Sequence, residues 1–292
     1  MRLLVTGASG LLGGRLALLL AGRHTVVAGR HTAAAPIGLE TLPLDLCSHD
    51  SLASALATAR PEVVVHTAAC ADVDVCEREP ETARLLNTLA TERLAALCRQ
   101  RGCRLIALST DLVLTGDRAM SDESVAAAPI LEYGRSKRTA EEVVIGASSD
   151  FAVLRVALVL GRGYGPRATA SEGIAWALCG GRRVRLFSDQ YRTPVDPESL
   201  ANAIGRIVDG RGAGLFQLGG PERLSRYDLG LRVAQALGLD AGLIESAEQR
   251  HQPVGVIRPA DCSMDCSRAR RELGWEPRPL EEAIRESRRS PE

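Results

Sequence analysis

The run Leu3-Leu4-Val5-Thr6 ends in Gly7-Ala8-Ser9-Gly10-Leu11-Leu12-Gly13 and passes at once into an apolar stretch that reaches residue 21. Glycine at every third position between a strand and a helix allows a sharp turn, and it lets backbone N–H groups and the helix dipole come close to an anion. A pyrophosphate suits such a turn, so Gly7, Ser9, Gly10, Leu11, Leu12 and Gly13 are expected to cradle a dinucleotide.

The rhythm that follows agrees. Short β-branched or leucine-rich runs alternate with helical stretches, which predicts strands over 3–6, 25–28, 63–67, 104–109 and 152–159 and helices over 11–21, 51–58, 81–100 and 133–145. A further strand precedes Asp45. Val63-Val64-Val65 is continuously apolar, as a parallel strand buried on both faces should be. The expected fold class is therefore α/β: a Rossmann-type doubly wound parallel sheet over 1–160, with a smaller C-terminal substrate-binding lobe over 161–292, some of whose segments can return to the sheet. In that lobe helices are expected over 171–178, 197–208, 227–237 and 280–288, strands over 184–187 and 215–218, and a glycine-rich loop at 161–166. The end at 288–292 is expected to fray.

Composition narrows the partners. Formal charge is zero and the pI is near 7.0, without the basic footprint of a nucleic-acid binder or a polybasic membrane anchor. The longest apolar stretch near the start is too short to span a bilayer, and the chain opens on a strand rather than on a signal-like segment. The eight cysteines show no Cys-x-x-Cys and no zinc-like spacing, so no metal is expected, and a reducing cytoplasm suits them. A small molecule is the expected partner.

Of the 36 lysines and arginines, Lys137 alone is a lysine. It follows Tyr133 by four residues, which puts a phenol and a compact ammonium on one helical face. Near the end of the second strand, Ala28-Gly29-Arg30-His31 has no acid to accept bonds from a ribose 2′-hydroxyl. Arg30 can instead pair with a 2′-phosphate, which favours NADPH over NADH; a solvated loop arginine is the plain alternative. Asp45, with Leu46 after it, is placed either to meet the adenine or to cap the next helix. Trp176 and Trp275 read as packing groups.

These motifs together resemble the extended short-chain dehydrogenases/reductases, and within them the dTDP-4-dehydrorhamnose reductase family. The likeness runs nearly end to end. His66-Thr67-Ala68-Ala69, then Val73-Asp74 and Cys76-Glu77, is similar to that family's segment beside nicotinamide and substrate. Ser109-Thr110-Asp111-Leu112-Val113-Leu114-Thr115-Gly116 is similar to its Ser-Thr-Asp run. Tyr133 and Lys137 match its tyrosine and lysine, Asp189 to Pro194 its substrate-lobe segment, and Arg258-Pro259-Ala260-Asp261 its C-terminal signature.

The resemblance implies hydride transfer to a ketone, with Thr110, Tyr133 and Lys137 as the catalytic set. Tyr133 would give the proton, Lys137 would lower the phenol's pKa and hold the nicotinamide ribose, and Thr110 would bind the carbonyl. Ala68 and Ala69 would line the cofactor; Val73, Asp74, Asp111 and Arg192 would line the substrate, with Arg192 on its diphosphate. Asn87 supports a water near Lys137 or is a helix-surface amide, and Asp74 and Glu77 either meet sugar hydroxyls or begin a helix. Cys70 stands where these reductases often have tyrosine, and Arg192 where glycine is frequent. The implied activity is NADPH-dependent reduction of dTDP-4-dehydro-L-rhamnose to dTDP-L-rhamnose, with a homodimer as the possible assembly. The rivals are a nucleotide-sugar epimerase or dehydratase retaining NAD, and a non-catalytic subunit resembling the methionine adenosyltransferase regulatory subunit.

Overall fold

In the computed structural model, which describes residues 1–251 and 255–288, seven parallel strands form one sheet in the order β3-β2-β1-β4-β5-β6-β9. They are β1 (Arg2–Thr6), β2 (Thr25–Arg30), β3 (Glu40–Pro43), β4 (Val63–His66), β5 (Arg104–Thr110), β6 (Ala152–Val156) and β9 (Gly214–Leu218). Successive residues of the central strands enter opposite cores. Leu3, Val5, Val26, Ala28, Val63 and Val65 pack on one side, while Leu4, Val27 and Val64 pack on the other. Because side chains alternate along a strand, a run apolar at every position is buried on both faces.

Helices α1 (Leu11–Ala21), α8 (Pro197–Val208) and α10 (Ser267–Leu273) cover the first face. Helices α2 (His49–Ala59), α5 (Ala90–Arg101) and α6 (Glu132–Ala147) cover the second. The strand order turns back between β1 and β4, which makes a crevice outside the C-terminal ends of the strands, where ligands bind in such sheets. A third core holds α7 (Ala170–Cys179), α9 (Arg226–Leu237) and α11 (Leu280–Arg285). The small strands β7 (Val184–Phe187) with β11 (Ile244–Ala247), and β8 (Tyr191–Arg192) with β10 (Leu224–Ser225), complete that lobe.

Several expectations need correction. The single helix expected over 81–100 is three segments: α4 (Pro80–Ala83), a π-helical stretch Arg84–Leu89, and α5. A wider turn is rare and tends to mark functional sites; the apolar period that predicted the helix cannot reveal it. The short helix α3 (Val73–Arg78), capped by the Asp72 carboxylate on the N–H groups of Asp74 and Val75, was not foreseen. Nor were α10 and the two-residue strands. The strand expected to run to 159 stops at Val156, and the last helix gives way to a 3₁₀ turn at Glu286–Arg288. The fray expected over 288–292 falls, from 289 on, outside the described residues. Among the described residues no helix is long and apolar enough to cross a membrane. Trp275 is fully buried and donates its indole N–H to the Ser199 carbonyl at 2.7 Å, so it packs as expected.

Candidate active site

Gly7 is at φ +69°, and a Cβ there would lie 2.7 Å from the Ala68 Cα. At Gly13 a Cβ would come within 2.3 Å of both the Gly7 carbonyl oxygen and the Thr67 hydroxyl. Both positions therefore exclude a side chain, and the β1–α1 turn lies directly on the segment after β4. The first turn of α1 has no acidic residue and no side-chain cap, so its exposed N–H groups and positive dipole end are left for an anion. This cradle fits a dinucleotide pyrophosphate. The Tyr164 N–H donates to the Leu11 carbonyl at 2.9 Å, which brings the 161–166 loop over the same helix start.

A hydrogen-bonded chain fixes the floor behind the cradle. The Thr91 hydroxyl donates to the Asn87 carbonyl at 2.6 Å, so toward His66 it must accept, and His66 Nε2 donates to it at 3.1 Å. His66 Nδ1 is then the acceptor for the Thr6 hydroxyl at 2.7 Å, which itself accepts from the Ala68 N–H at 3.4 Å. Every link is satisfied with a neutral imidazole. Burial, then the charge of Lys137, lowers the His66 pKa to about 3.

Asn87 lies in the π-helical stretch and is fully buried. Its amide accepts from the Cys70 N–H at 2.8 Å and donates to the Cys70 carbonyl and to the Ser136 hydroxyl, each at 3.0 Å. The helix-surface alternative is thus excluded, and Asn87 ties the strand-end segment 68–70 to α6.

Tyr133, Lys137 and Glu141 sit one turn apart on the buried face of α6. Tyr133 lies among Thr110, Asp111, Cys76 and Cys70, with the Thr110 hydroxyl beside its phenol. Burial and the Asp111 charge push the phenol's pKa up. That is opposite to the lowering expected from Lys137, whose charge is not among the influences on the phenol. Burial brings Lys137 down to about 8, with Glu141 opposing. Glu141 is itself held by the Ser109 hydroxyl at 2.5 Å and by Arg155 at 2.8 Å, so much of its charge is already countered. Neither Glu141 nor Arg155 was foreseen; in sequence they read as an ordinary helix acid and strand arginine.

Thr110 ends β5 and Asp111 begins the 3₁₀ turn after it, both buried. The Thr110 hydroxyl donates to Asp111 Oδ1 and accepts from the Leu112 N–H, both at 3.1 Å. Arg192 is just as buried, but it is already engaged. Its guanidinium donates to the carbonyls of Tyr191 and Pro259, at 2.6 and 3.2 Å, and meets Asp111 at 3.5 Å. A diphosphate at Arg192 would compete with all three.

The remaining expected residues scatter around this centre. Arg30 ends β2, half-buried. Ser48 caps α2, so Asp45 is not the cap; its carboxylate accepts from the Cys47 N–H at 2.9 Å. Ala68, Ala69 and Leu46 are half-buried. Val73 packs against the small cluster around Tyr133 and Cys76. Asp74 is exposed and pairs with Arg258 at 3.3 Å, while Glu77 accepts from the Glu132 N–H at 2.7 Å and so anchors the start of α6.

A glycine cradle at the crevice of a parallel sheet, beside a Thr, a Tyr and a Lys, defines an NAD(P)H-dependent oxidoreductase of the extended short-chain dehydrogenase/reductase class. The chain belongs to the family described as RmlD substrate binding domain, whose model matches residues 1–290. It is 32% identical over 288 residues to a probable low-salt glycan biosynthesis reductase, Agl14, of Haloferax volcanii, covering 96% of this chain and 95% of that one. The beta subunit of methionine adenosyltransferase 2 from Xenopus laevis is 28% identical, over 98% of this chain and 86% of its own. Among solved structures, a hypothetical dTDP-4-dehydrorhamnose reductase from Sulfolobus tokodaii superposes with a TM-score of 0.83 at 30% identity, covering 94% and 96%.

Proposed function

We propose that the protein reduces the 4-keto group of a nucleotide-activated 4-keto-6-deoxy sugar, with dTDP-4-dehydro-L-rhamnose as substrate and NADPH as reductant. The observation that carries this reading is the contact between the Tyr133 phenol and the Thr110 hydroxyl at the C-terminal end of β5, with Lys137 one turn along the same buried face. The reduced nicotinamide supplies the hydride. The protein's task is the oxygen. Thr110 donates to the substrate carbonyl and holds it against Tyr133. The raised pKa keeps Tyr133 as a neutral phenol, the proton-loaded form an acid needs, and its proton passes to the carbonyl oxygen as negative charge develops there. Lys137 holds the ribose hydroxyls and balances the phenolate that remains. Arg30 supports the choice of NADPH.

NADPH oxidation with the keto sugar tests this. Tyr133→Phe should lose on the order of 10²- to 10⁴-fold in turnover, and Lys137→Met should weaken cofactor binding as well. Unchanged turnover in both variants would remove the mechanism. The likeness to the methionine adenosyltransferase beta subunit favours a second reading, a regulatory subunit; absence of turnover together with copurification of a larger enzyme would support that instead. Tightly retained NAD without net oxidation would point to an epimerase.

A further inference from the structure

Two thiols meet beside the Tyr133 phenol. Cys70 lies on the segment after β4 and Cys76 on α3, and their sulfurs are 3.6 Å apart. The Cys76 S–H lies between the Cys70 carbonyl oxygen, at 3.4 Å, and the Cys70 Sγ. Both side chains belong to the small apolar cluster that packs Tyr133, with Ala83, Val73 and Leu112. Their exposures differ: Cys76 is sealed from solvent, whereas Cys70 is only half-buried. Neither sulfur has a part in the hydride chemistry.

A disulfide needs its sulfurs ~2.05 Å apart, so the gap to close is about 1.5 Å, a shift that torsion about the two Cα–Cβ bonds can supply where the backbones are already placed. Both backbones are placed. Asn87 holds the N–H and the carbonyl of Cys70. Asp72 caps the start of α3, and Glu77 ties that helix to the Glu132 N–H. Burial, and then the hydrogen bond to Cys70, push the Cys76 thiol up to about 12. Cys76 therefore keeps its proton, and Cys70 is the sulfur that an oxidant reaches first.

We propose that Cys70 and Cys76 form an oxidisable dithiol, which hydrogen peroxide closes to a reversible disulfide that turns down the site around Tyr133. The Cys70 thiolate attacks one peroxide oxygen; the O–O bond breaks, the sulfur becomes a sulfenic acid, and the second oxygen takes up a proton and leaves as water. Cys76 then attacks that sulfur. The S–S bond forms, the S–O bond breaks, and the departing hydroxyl leaves as a second water with the Cys76 thiol proton. The thiols together lose two electrons and two protons, and the peroxide is reduced by the same two electrons. The sulfur pairing stands apart from the sugar-reduction reading; its effect on turnover rests on that reading.

The test treats the full-length protein, carrying Cys47→Ser and Cys179→Ser to remove the two exposed thiols, with hydrogen peroxide and then blocks free thiols with N-ethylmaleimide. No Lys or Arg lies between residues 61 and 77, so one tryptic peptide carries both sulfurs. That peptide should become lighter by two hydrogen atoms and refuse the reagent, and dithiothreitol should restore both thiols. Turnover of NADPH with the keto sugar should fall about 10-fold or more on closure, the scale of a small displacement at a reacting group, and return with dithiothreitol. Cys70→Ser should make turnover insensitive to peroxide. In Cys76→Ser the Cys70 sulfenic acid should be trapped by dimedone, and prolonged exposure should carry it to an acid that dithiothreitol does not reverse. Thermal melting confirms that each variant is folded, and each is compared only with its own untreated sample. Free reaction of both thiols after peroxide, a disulfide from either one to Cys98, Cys103 or another chain, or closure with unchanged turnover would each overturn the proposal. If the untreated protein does not oxidise NADPH with the keto sugar, the reductase reading falls; the peptide mass still decides the dithiol, and NADPH affinity, weakened on closure, takes the place of turnover.

Discussion

Asn87 grips Cys70 at both ends of its backbone, accepting from its N–H at 2.8 Å and donating to its carbonyl at 3.0 Å. The grip is available because the π-helical stretch Arg84–Leu89 brings this amide to the buried side, against α6. Replacing Asn87 with Ala leaves buried backbone groups unpaired, at about 1–3 kcal/mol each. Asn87→Ala should therefore lose about 2–4 kcal/mol in urea unfolding and also weaken NADPH binding, since Ala68 and Ala69 sit on the same segment.

Gly7→Ala introduces a Cβ at a left-handed φ, 2.7 Å from the Ala68 Cα. Strain of about 1 kcal/mol comes from the backbone alone, and the clash pushes β1 away from the segment after β4. The fold should survive with a lowered melting temperature, while NADPH affinity, followed by fluorescence titration, should drop by more than tenfold.

Lys137 titrates near 8 in the free protein. It is a cation below that pH and neutral above it. Capture of the cofactor ribose by an ammonium should therefore weaken as pH rises through about 8, giving a falling basic limb in kcat/KM for NADPH, which reports the free enzyme. In Lys137→Met that limb should disappear at a uniformly lower rate.

His66 sets an acid limit on stability. Its pKa is about 3 in the fold against 6.5 as an ordinary histidine. Above 6.5 neither state holds the proton and the residue contributes no pH dependence. Below 6.5 the unfolded chain takes up a proton that the fold refuses, so stability falls toward pH 3 with a slope approaching ~1.4 kcal/mol per pH unit. Between pH 6.5 and 5, before most carboxylates titrate, urea midpoints should drop in wild type and stay flatter in His66→Gln.

The sheet was legible because its signals are local. An apolar triplet such as Val63-Val64-Val65 can only be comfortable between two layers, and the glycine spacing after β1 has one close-packed use. Tyr133 and Lys137 were visible through helical spacing. What escaped depends on contacts between distant segments. Asn87 looks like any helix amide until the π turn rotates it, and Arg155 is one arginine among many until β6 lays it against Glu141. The phenol's pKa moved against expectation for the same reason: spacing places Lys137 beside Tyr133, but burial and Asp111, brought in by β5, decide the direction.

The seventh strand, β9, returns from far beyond residue 160 to lie against β6. The lobe is consequently an excursion on either side of a structural strand, not an appendage at the end of the chain. A chain cut at the expected boundary would expose the edge of β6 and uncover the apolar face that α8 and α10 protect, inviting aggregation. Trimming this protein to its nucleotide-binding half, or grafting a foreign lobe at a single junction, should fail; exchange of specificity calls for two splices that leave β9 in place.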